Sequence, residues 1–313
     1  MASTFQAHSE FLNLSAPPKV RKIGANDCLA ALSEGFDDFL EMPTYPAFIG
    51  LFYALGGIAL AALSQFGHAL QLVFPLAAGF ALIGPFVAVG LYEMSRRRER
   101  GLPADWRDAF AVRHSPALPS VLALGFFLFA LFVVWIVAAE LLYILTYGPE
   151  APEAAIPFFH DVLASGRGWL LIIVGGLVGF CFAMAALLIS VASFPLMLDR
   201  DVGVASAVDA SLRLSRENPA TVALWGLIVA IGLILGSIPL FIGLAVAIPV
   251  LGHATWRFYR RAIERAPALE LPVFDREAPE EPTDAIVRIL QEPSYDTLIE
   301  RIGRAWAWAT GRG

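Results

Sequence analysis

Long apolar blocks, separated by short polar segments, dominate the pattern of the chain. A helix that crosses a bilayer needs about 20 mostly apolar residues. Blocks of this kind cover residues 47–64, 69–92, 118–147, 169–198 and 220–256. We interpret each of the first four blocks as one transmembrane helix.

The last block is too long for a single span. Gly236, Ser237 and Pro239 lie near its middle, and residues of these types favour a tight turn between two helices. The pattern therefore predicts an all-α membrane protein with six transmembrane helices. The alternative for residues 220–256 is one span plus a re-entrant segment, because each half is near the minimum length for a span.

Basic residues are concentrated in alternate connecting segments, and this asymmetry predicts the orientation. The loops on one side contain Arg167 as their only basic residue, and the longest of these loops also carries the acidic residues Glu150, Glu153 and Asp161. In membrane proteins Lys and Arg accumulate in the cytoplasmic loops. We therefore expect a protein of a bacterial inner membrane with both termini on the cytoplasmic side. The basic residues assigned to that side are Lys19, Arg21, Lys22, Arg96, Arg97, Arg98, Arg100, Arg107, Arg113, Arg200, Arg213, Arg216, Arg257, Arg260, Arg261 and Arg265.

A short amphipathic stretch followed by proline precedes each odd-numbered span, at residues 26–41, 104–113 and 204–216. This predicts three repeats of a cytoplasmic interfacial helix plus a transmembrane hairpin. The alternative is that amphipathic residues near spans are common in membrane proteins and imply no repeat. In the first stretch the apolar residues at helical spacing are Leu29, Leu32, Phe36 and Phe39.

The spans divide the chain into three parts. Residues 1–24 are expected to be a flexible N-terminal arm and residues 25–262 the six-helix membrane domain. Residues 263–313 form a cytoplasmic tail, whose first part is rich in Pro, Glu and Ala and is expected to be a flexible spacer. An amphipathic helix near 295–309 is predicted to lie at the membrane surface or to bind a partner.

Composition supports the membrane class and excludes several functions. Hydrophobic residues make up 58% and charged residues 16% of the chain, against roughly 25% charged residues in soluble domains. The net charge of −6 argues against nucleic acid as a main partner. The two cysteines lack the spacing of a zinc or iron–sulfur site, and the usual motifs of phosphate binding and hydrolysis are absent. We expect no cofactor, no metal and no enzymatic activity.

Two ionisable residues within the predicted spans are candidates for function, because buried charge is unfavourable in lipid. Glu140 in the third span is either a proton or cation ligand, or a carboxylate close enough to the outer surface to reach water. His253, near the cytoplasmic end of the sixth span, is a candidate metal, haem or pH-sensing group. The alternative for His253 is a hydrogen bond to a backbone carbonyl within the bundle.

Further candidates lie at the cytoplasmic ends of the spans. Glu93 is most simply an interfacial ion-pair partner beside Tyr92. The charged residues 199–201 suit the end of one helix followed by the capped N-terminus of the next. Alternatively, the two aspartates and His253 form a lipid-modifying site at the cytoplasmic interface. The remaining candidate positions are Asp199, Arg200, Asp201 and Trp256.

Several segments together resemble a bacterial family of integral membrane proteins that have no assigned function. They are residues 31–39 (ALSEGFDDF), 79–86 (GFALIGPF), 90–97 (GLYEMSRR), 194–201 (FPL and DRD) and 249–260 (PVLGHATW, then Tyr259 and Arg260). In the family the last of these segments ends Thr-Trp-His, whereas Arg257 follows Trp256 here.

Some members of that family are labelled as cytochrome c oxidase subunits. A haem–copper centre needs several intramembrane histidines, and this chain offers only His253. The resemblance therefore implies at most an accessory or assembly role in a respiratory complex.

We expect a non-catalytic structural or accessory protein that contacts anionic lipids at the cytoplasmic face and docks another membrane protein. The alternative is a transporter or channel for a small solute or lipid, with Glu140, Pro195 and His253 along its pathway.

Overall fold

The computed structural model describes residues 18–42, 50–51, 54–58, 61, 70–239, 242–266, 270–271 and 273. These residues contain no strand, and their only β-type pairings are isolated bridges between Val20 and Ile263 and between Arg200 and Glu270. The α-helices are α1 (Ala25–Glu41), α2 (Val73–Phe80), α3 (Gly84–Val87), α4 (Val89–Glu99), α5 (Leu118–Tyr147), α6 (Ala155–Ala164), α7 (Gly166–Ser190), α8 (Ser193–Asp199), α9 (Val204–Glu217), α10 (Pro219–Ser237) and α11 (Leu244–Ala262).

Three helices in the described ranges are long and apolar enough to cross a membrane. They are Leu118–Tyr147, Gly166–Asp199 and Pro219–Ser237, with mean hydropathies of 2.9, 2.6 and 2.2. Their positions match the predicted third, fourth and fifth spans. Helix α8 continues the second of these after two turn residues at 191–192.

The predicted second span is not one continuous helix. The 3-10 segments Leu70–Leu72 and Ala81–Ile83 alternate with α2, α3 and α4 over this stretch. Pro85 has no N–H to bond to the carbonyl of Ala81, and its ring crowds that carbonyl, so the regular α-helical hydrogen-bond pattern is interrupted at this point. Hydropathy alone could not show the interruption, because the proline lies inside an uninterrupted apolar run.

The turn formers near residue 238 separate two helices, as the sequence suggests. Helix α10 ends at Ser237 and α11 begins at Leu244, and a Cβ added to Gly243 would lie 2.9 Å from the Cα of Gly236. Most of the predicted first span lies outside the described residues, although those seen at 50–51, 54–58 and 61 are helical. The count of six spans stays a prediction.

Two of the three amphipathic stretches form α-helices close to their predicted bounds, namely α1 and α9. The middle stretch is a 3-10 helix, Trp106–His114, rather than an α-helix. The three-unit repeat therefore also stays a prediction. The amphipathic helix proposed near residues 295–309 lies outside the described part of the chain.

Helix α1 packs along α11 and buries its small residues, and of the four large apolar residues at helical spacing only Phe39 is buried. Cys28, Ala31 and Gly35 are buried, whereas Leu29 and Phe36 are 59% and 45% exposed. A Cβ added to Gly35 would lie 2.4 Å from the backbone nitrogen of Ala254. The absent side chain therefore lets the two helix backbones approach closely.

The main core lies where α1, α4, α8 and α11 meet the first turns of α5. Helix α10 adds Trp225, whose ring stacks on that of Phe258 of α11 with centroids 4.8 Å apart. Leu91, Phe194 and Trp256 complete this region with fully buried side chains. The opposite halves of α5 and α7 expose most of their apolar surface.

We predict that Gly35→Ala destabilises the protein although alanine favours helix formation. The added methyl would collide with the backbone of α11, and overpacking of this kind typically costs about 1–3 kcal/mol. The measurement is the thermal unfolding midpoint in detergent.

Gly176→Ala in α7 is the matched control, since a Cβ there meets nothing within 4 Å. It should leave the midpoint unchanged or raise it, because replacing a helical glycine by alanine gains about 0.5–1 kcal/mol. Equal midpoints for the two variants would contradict the close packing of α1 on α11.

Candidate functional site

Polar and ionisable side chains from four helices, together with Arg265 and Glu270, gather in one largely buried region, which we call the charged cluster. It lies at the C-terminal ends of α1, α4, α8 and α11. A helix C-terminus carries partial negative charge, which favours the arginines found there. The cluster consists of Asp38, Glu93, Ser95, Arg96, Arg98, Glu99, Arg100, Asp199, Arg200, His253, Arg257, Tyr259, Arg260, Arg265 and Glu270.

Asp38 in the last turn of α1 joins three helices. Its carboxylate is fully buried and accepts hydrogen bonds from Arg257 Nε at 2.9 Å and Nη2 at 2.7 Å. Arg98 also pairs with it, and Ser95 Oγ donates a hydrogen bond to it at 2.9 Å. Two guanidinium groups and a hydroxyl therefore compensate one buried negative charge.

His253 is linked to Asp38 through Ser95. The His253 Nδ1 atom lies 2.6 Å from Ser95 Oγ, whose single proton is donated to Asp38. His253 must then donate from Nδ1, which leaves the Nε2 lone pair as an acceptor. Nε2 is buried and has no hydrogen-bond partner in the described structure. The expectation of a backbone carbonyl partner for His253 was wrong, because a side-chain hydroxyl takes that place.

Asp199, the last residue of α8, forms a second centre. Its Oδ2 atom accepts hydrogen bonds from Tyr259 Oη at 2.7 Å and from Arg260 Nη1 at 2.8 Å. Burial and the nearby Asp199 charge raise the pKa of Tyr259, so its hydroxyl keeps the proton that it donates. The neighbouring Arg200 is also buried and bonds to the carbonyl of Glu264.

Glu99 joins α4 to the same part of α11. Its Oε2 accepts hydrogen bonds from Trp256 Nε1 at 3.0 Å and from Arg260 Nε at 2.8 Å. The Arg260 guanidinium also lies over the Trp256 ring, 4.9 Å from its centroid. One arginine thus connects α4, α8 and α11 through hydrogen bonds and a cation–π contact.

Residues 270–271 complete the cluster from the C-terminal side. The Leu271 N–H donates to the carbonyl of Asp199 at 2.7 Å, and the Leu271 carbonyl accepts from Arg96 and Arg100. Glu270 pairs with Arg100, Arg260 and Arg265. At these residues the start of the tail docks on the bundle, in contrast to the flexible spacer expected there.

Most sequence-predicted positions converge here, but not all. Glu93 pairs with Arg96 at 2.9 Å, so the prediction of an ion pair is confirmed, although both partners are buried. Asp199, Arg200 and His253 lie in the cluster, whereas Trp256 and Tyr92 are buried in the adjoining core, from which Trp256 donates a hydrogen bond to Glu99. Asp201 is exposed and lies outside the cluster.

Glu140 lies far from this site. It is 22 positions beyond Leu118 on α5, which corresponds to about 33 Å along the helix axis. Gln71 Nε2 donates to its two carboxylate oxygens at 3.4 and 3.3 Å. His253 and Pro195 are buried at the other end of the bundle. The transport hypothesis therefore stays a prediction, and it now rests on Glu140 without the other two residues.

The basic residues assigned to lipid contact are largely used inside the protein. Arg98, Arg257 and Arg260 pair with carboxylates of the cluster, and Arg261 pairs with Asp27 and Glu34 of α1. Helix α1 itself contains five acidic residues and no basic one. Charge at this end thus holds α1 on the bundle instead of leaving it as a basic lipid-binding helix.

Sequence reasoning missed several central residues, above all Asp38. The available signal was its spacing: Asp38 follows Cys28, Ala31 and Gly35 on one face of α1, and this small-residue face is the buried one. The exposed Leu29 and Phe36 drew attention to the opposite face. Ser95, Arg257, Arg260 and Glu270 could not be paired from one sequence, because their partners lie on distant segments.

The geometry favours a structural role for the cluster. Asp38, Asp199 and His253 have no exposed surface, so they cannot contact a substrate in the surrounding solution without movement of a helix. The described residues contain no group of three or more His, Cys, Asp or Glu that could hold a metal ion. What the arrangement does is fix four helix ends and the start of the tail relative to one another.

Residues 73–199 match the model of a family described as "Predicted integral membrane protein (DUF2189)". The match covers α2 to α8, including the α4 and α8 parts of the charged cluster. It confirms the resemblance to integral membrane proteins without assigned function. No curated protein and no solved structure matches the chain.

We predict that Asp38→Asn destabilises the protein, because it leaves the half-buried Arg257 without a carboxylate partner and Arg98 with Glu41 alone. Removing one partner of a fully buried ion pair typically costs about 3–5 kcal/mol, and the partial exposure of the two arginines places the expected loss at the low end of that range. The adjacent Asp37 is exposed, so Asp37→Asn is the control and should be neutral. Thermal unfolding in detergent distinguishes them, and equal midpoints would contradict the central role of Asp38.

The docking of residues 270–271 should depend on pH through Glu270. Burial raises the pKa of Glu270, but the guanidinium groups of Arg265, Arg260 and Arg100 outweigh burial and hold it below the ordinary value of 4.5. Its contribution to the folded state is therefore complete above that value and is lost as the pH falls through the lower folded pKa.

Hydrogen exchange of the Leu271 amide measures this effect. Protection should be weaker in Glu270→Gln than in the wild type near neutral pH, and the difference should vanish in acid. A difference that persists unchanged in acid would show that the Glu270 charge does not hold the segment.

Proposed function

We propose that the protein is a non-catalytic accessory or assembly component of a bacterial inner membrane. In this proposal it has six spans, built as three helix-plus-hairpin units, with both termini in the cytoplasm. The charged cluster then lies on the cytoplasmic side and serves as the rigid base of the bundle. The concentration of arginines at this end supports the orientation, as does the single Arg167 at the other end, which pairs with Asp161.

The observation that carries the proposal is the sparse packing of α7. Only 6% of its most apolar 18-residue window is buried within the protein. Ile173, Leu177 and Phe180 are more than half exposed, and a Cβ added to Gly176 would meet nothing within 4 Å. A spanning helix with so few internal contacts is free to pack against a second membrane protein.

The contrast between the two ends of the bundle supports a scaffold. One end is fixed by buried ion pairs and a packed aromatic core, whereas the helices at the other end have many exposed apolar side chains. An arrangement of this kind holds α7 in a defined orientation while leaving its sides accessible. The proposed respiratory link rests on the labels of some family members, and the identity of the partner decides it.

Site-specific photocrosslinking in intact membranes tests the proposal. A photoreactive amino acid at Ile173 or Leu177 on α7 should give a discrete protein adduct of fixed mass. The same group at Leu145 on α5, which is 83% exposed, is the control and should give mainly lipid adducts.

Gly176→Leu places bulk on the proposed contact face, at an exposed position where an added Cβ has no atom of the chain within 4 Å. It should abolish the protein adduct while leaving the unfolding midpoint unchanged. Lipid adducts alone at both α7 positions, together with purification of the bundle without a stable partner, would overturn the proposal. Adducts with respiratory subunits would support that specific link.

A further inference from the structure

A shallow groove of about 190 Å³ lies beside the start of α5, outside the charged cluster. The 3-10 helix Trp106–His114 forms one side of it, and α3, α4 and α5 form the rest. Its lining is apolar except for Arg113, and the residues that matter most are Phe86, Val89, Phe110, Val121 and Leu122. Phe110 and Leu122 are 58% and 50% exposed, so the groove is open along its length.

The position of the groove favours a lipid. Helix α5 has 30 residues, which is about 45 Å of helix and exceeds the roughly 30 Å hydrocarbon core. Its first turns, at Leu118 to Leu122, therefore lie near the edge of that core. An acyl chain and a headgroup meet at this depth.

Arg113 supplies the charge that selects the headgroup. It is exposed and is the one charged residue among the described residues that line the groove. Its Nε donates to His114 Nε2 at 3.3 Å, which uses one of the five donors of the guanidinium. The arginines of the charged cluster are paired with carboxylates, whereas no ion pair of Arg113 is found in the described ranges.

We propose that this groove binds one anionic phospholipid, with part of an acyl chain along Phe110 and Leu122 and the phosphate at Arg113. The volume is below the roughly 300 Å³ at which pockets for drug-sized ligands begin, and it suits a segment of one chain. The phosphate of a zwitterionic lipid reaches the same guanidinium but brings a positive amine with it. The groove therefore prefers lipids with net negative charge.

Native mass spectrometry of the purified, delipidated full-length protein tests this proposal. The probes are dioleoyl phosphatidylglycerol and dioleoyl phosphatidylcholine, which share their acyl chains and differ in net charge. The wild type should retain one phosphatidylglycerol in preference to phosphatidylcholine by roughly fivefold, the value expected for one basic residue near an anionic headgroup.

Two variants separate the contributions of charge and groove. Arg113→Gln should abolish the preference for phosphatidylglycerol, whereas Arg216→Gln, at an exposed arginine of α9 that does not line the groove, should keep it. Leu122→Trp should reduce retention of both lipids, whereas Leu145→Trp, at the far end of α5, should not. An unchanged preference in Arg113→Gln, or unchanged retention in Leu122→Trp, would overturn the proposal.

The inference deepens the proposed function, because it adds a bound lipid to the proposed membrane scaffold. Its test needs only the isolated protein. Lipid retention without any crosslinked partner would reject the accessory role and keep the groove. A crosslinked partner without selective lipid retention would support the accessory role and reject the lipid-binding groove.

Discussion

The need to compensate buried charge at converging helix C-termini determines how this protein is assembled. Asp38 and Asp199 lie at helix ends, where the helix dipole is itself negative and disfavours a carboxylate. Arg257 and Arg260 supply the opposite charge from one helix, α11. Because α11 serves both aspartates, its position relative to α1 and α8 is strongly constrained. The close approach of α1 to α11 at Gly35 fixes the same relative position through packing.

The apolar and polar ends of the bundle obey different rules. In the charged cluster each hydrogen bond and ion pair has a specific direction and a specific partner. The loss of one partner leaves a buried charge uncompensated. Along α7 and the far half of α5, many apolar side chains are exposed and have few partners within the described residues. A membrane protein can therefore be rigid at one end and adaptable at the other without any hinge, since the difference follows from the type of interaction.

Sequence reasoning was most successful for features that depend on the residues of a single helix. The apolar runs of α5, α7 and α10 and the amphipathic periods of α1 and α9 are local patterns, and the structure contains these helices. Pro85 breaks the stretch 70–92 because it lacks an N–H, an effect that hydropathy averages away. The partners of Asp38, Glu99 and His253 depend on which helix ends meet, and this information lies in pairs of distant residues. Glu93 was the exception, because its partner Arg96 is only one turn away.

The pairing of Asp38 with Arg257 has a consequence for synthesis. The two residues are 219 positions apart, and ribosomes add roughly 5–20 residues per second. Asp38 is therefore made on the order of 10–40 s before its main partner, and residues 270–271 emerge later still. During that interval the Asp38 carboxylate has only Ser95 and Arg98 of α4 as partners, and the small-residue face of α1 lacks the α11 backbone against which Gly35 packs. The first helix therefore reaches its full set of contacts only after α11 has been translated.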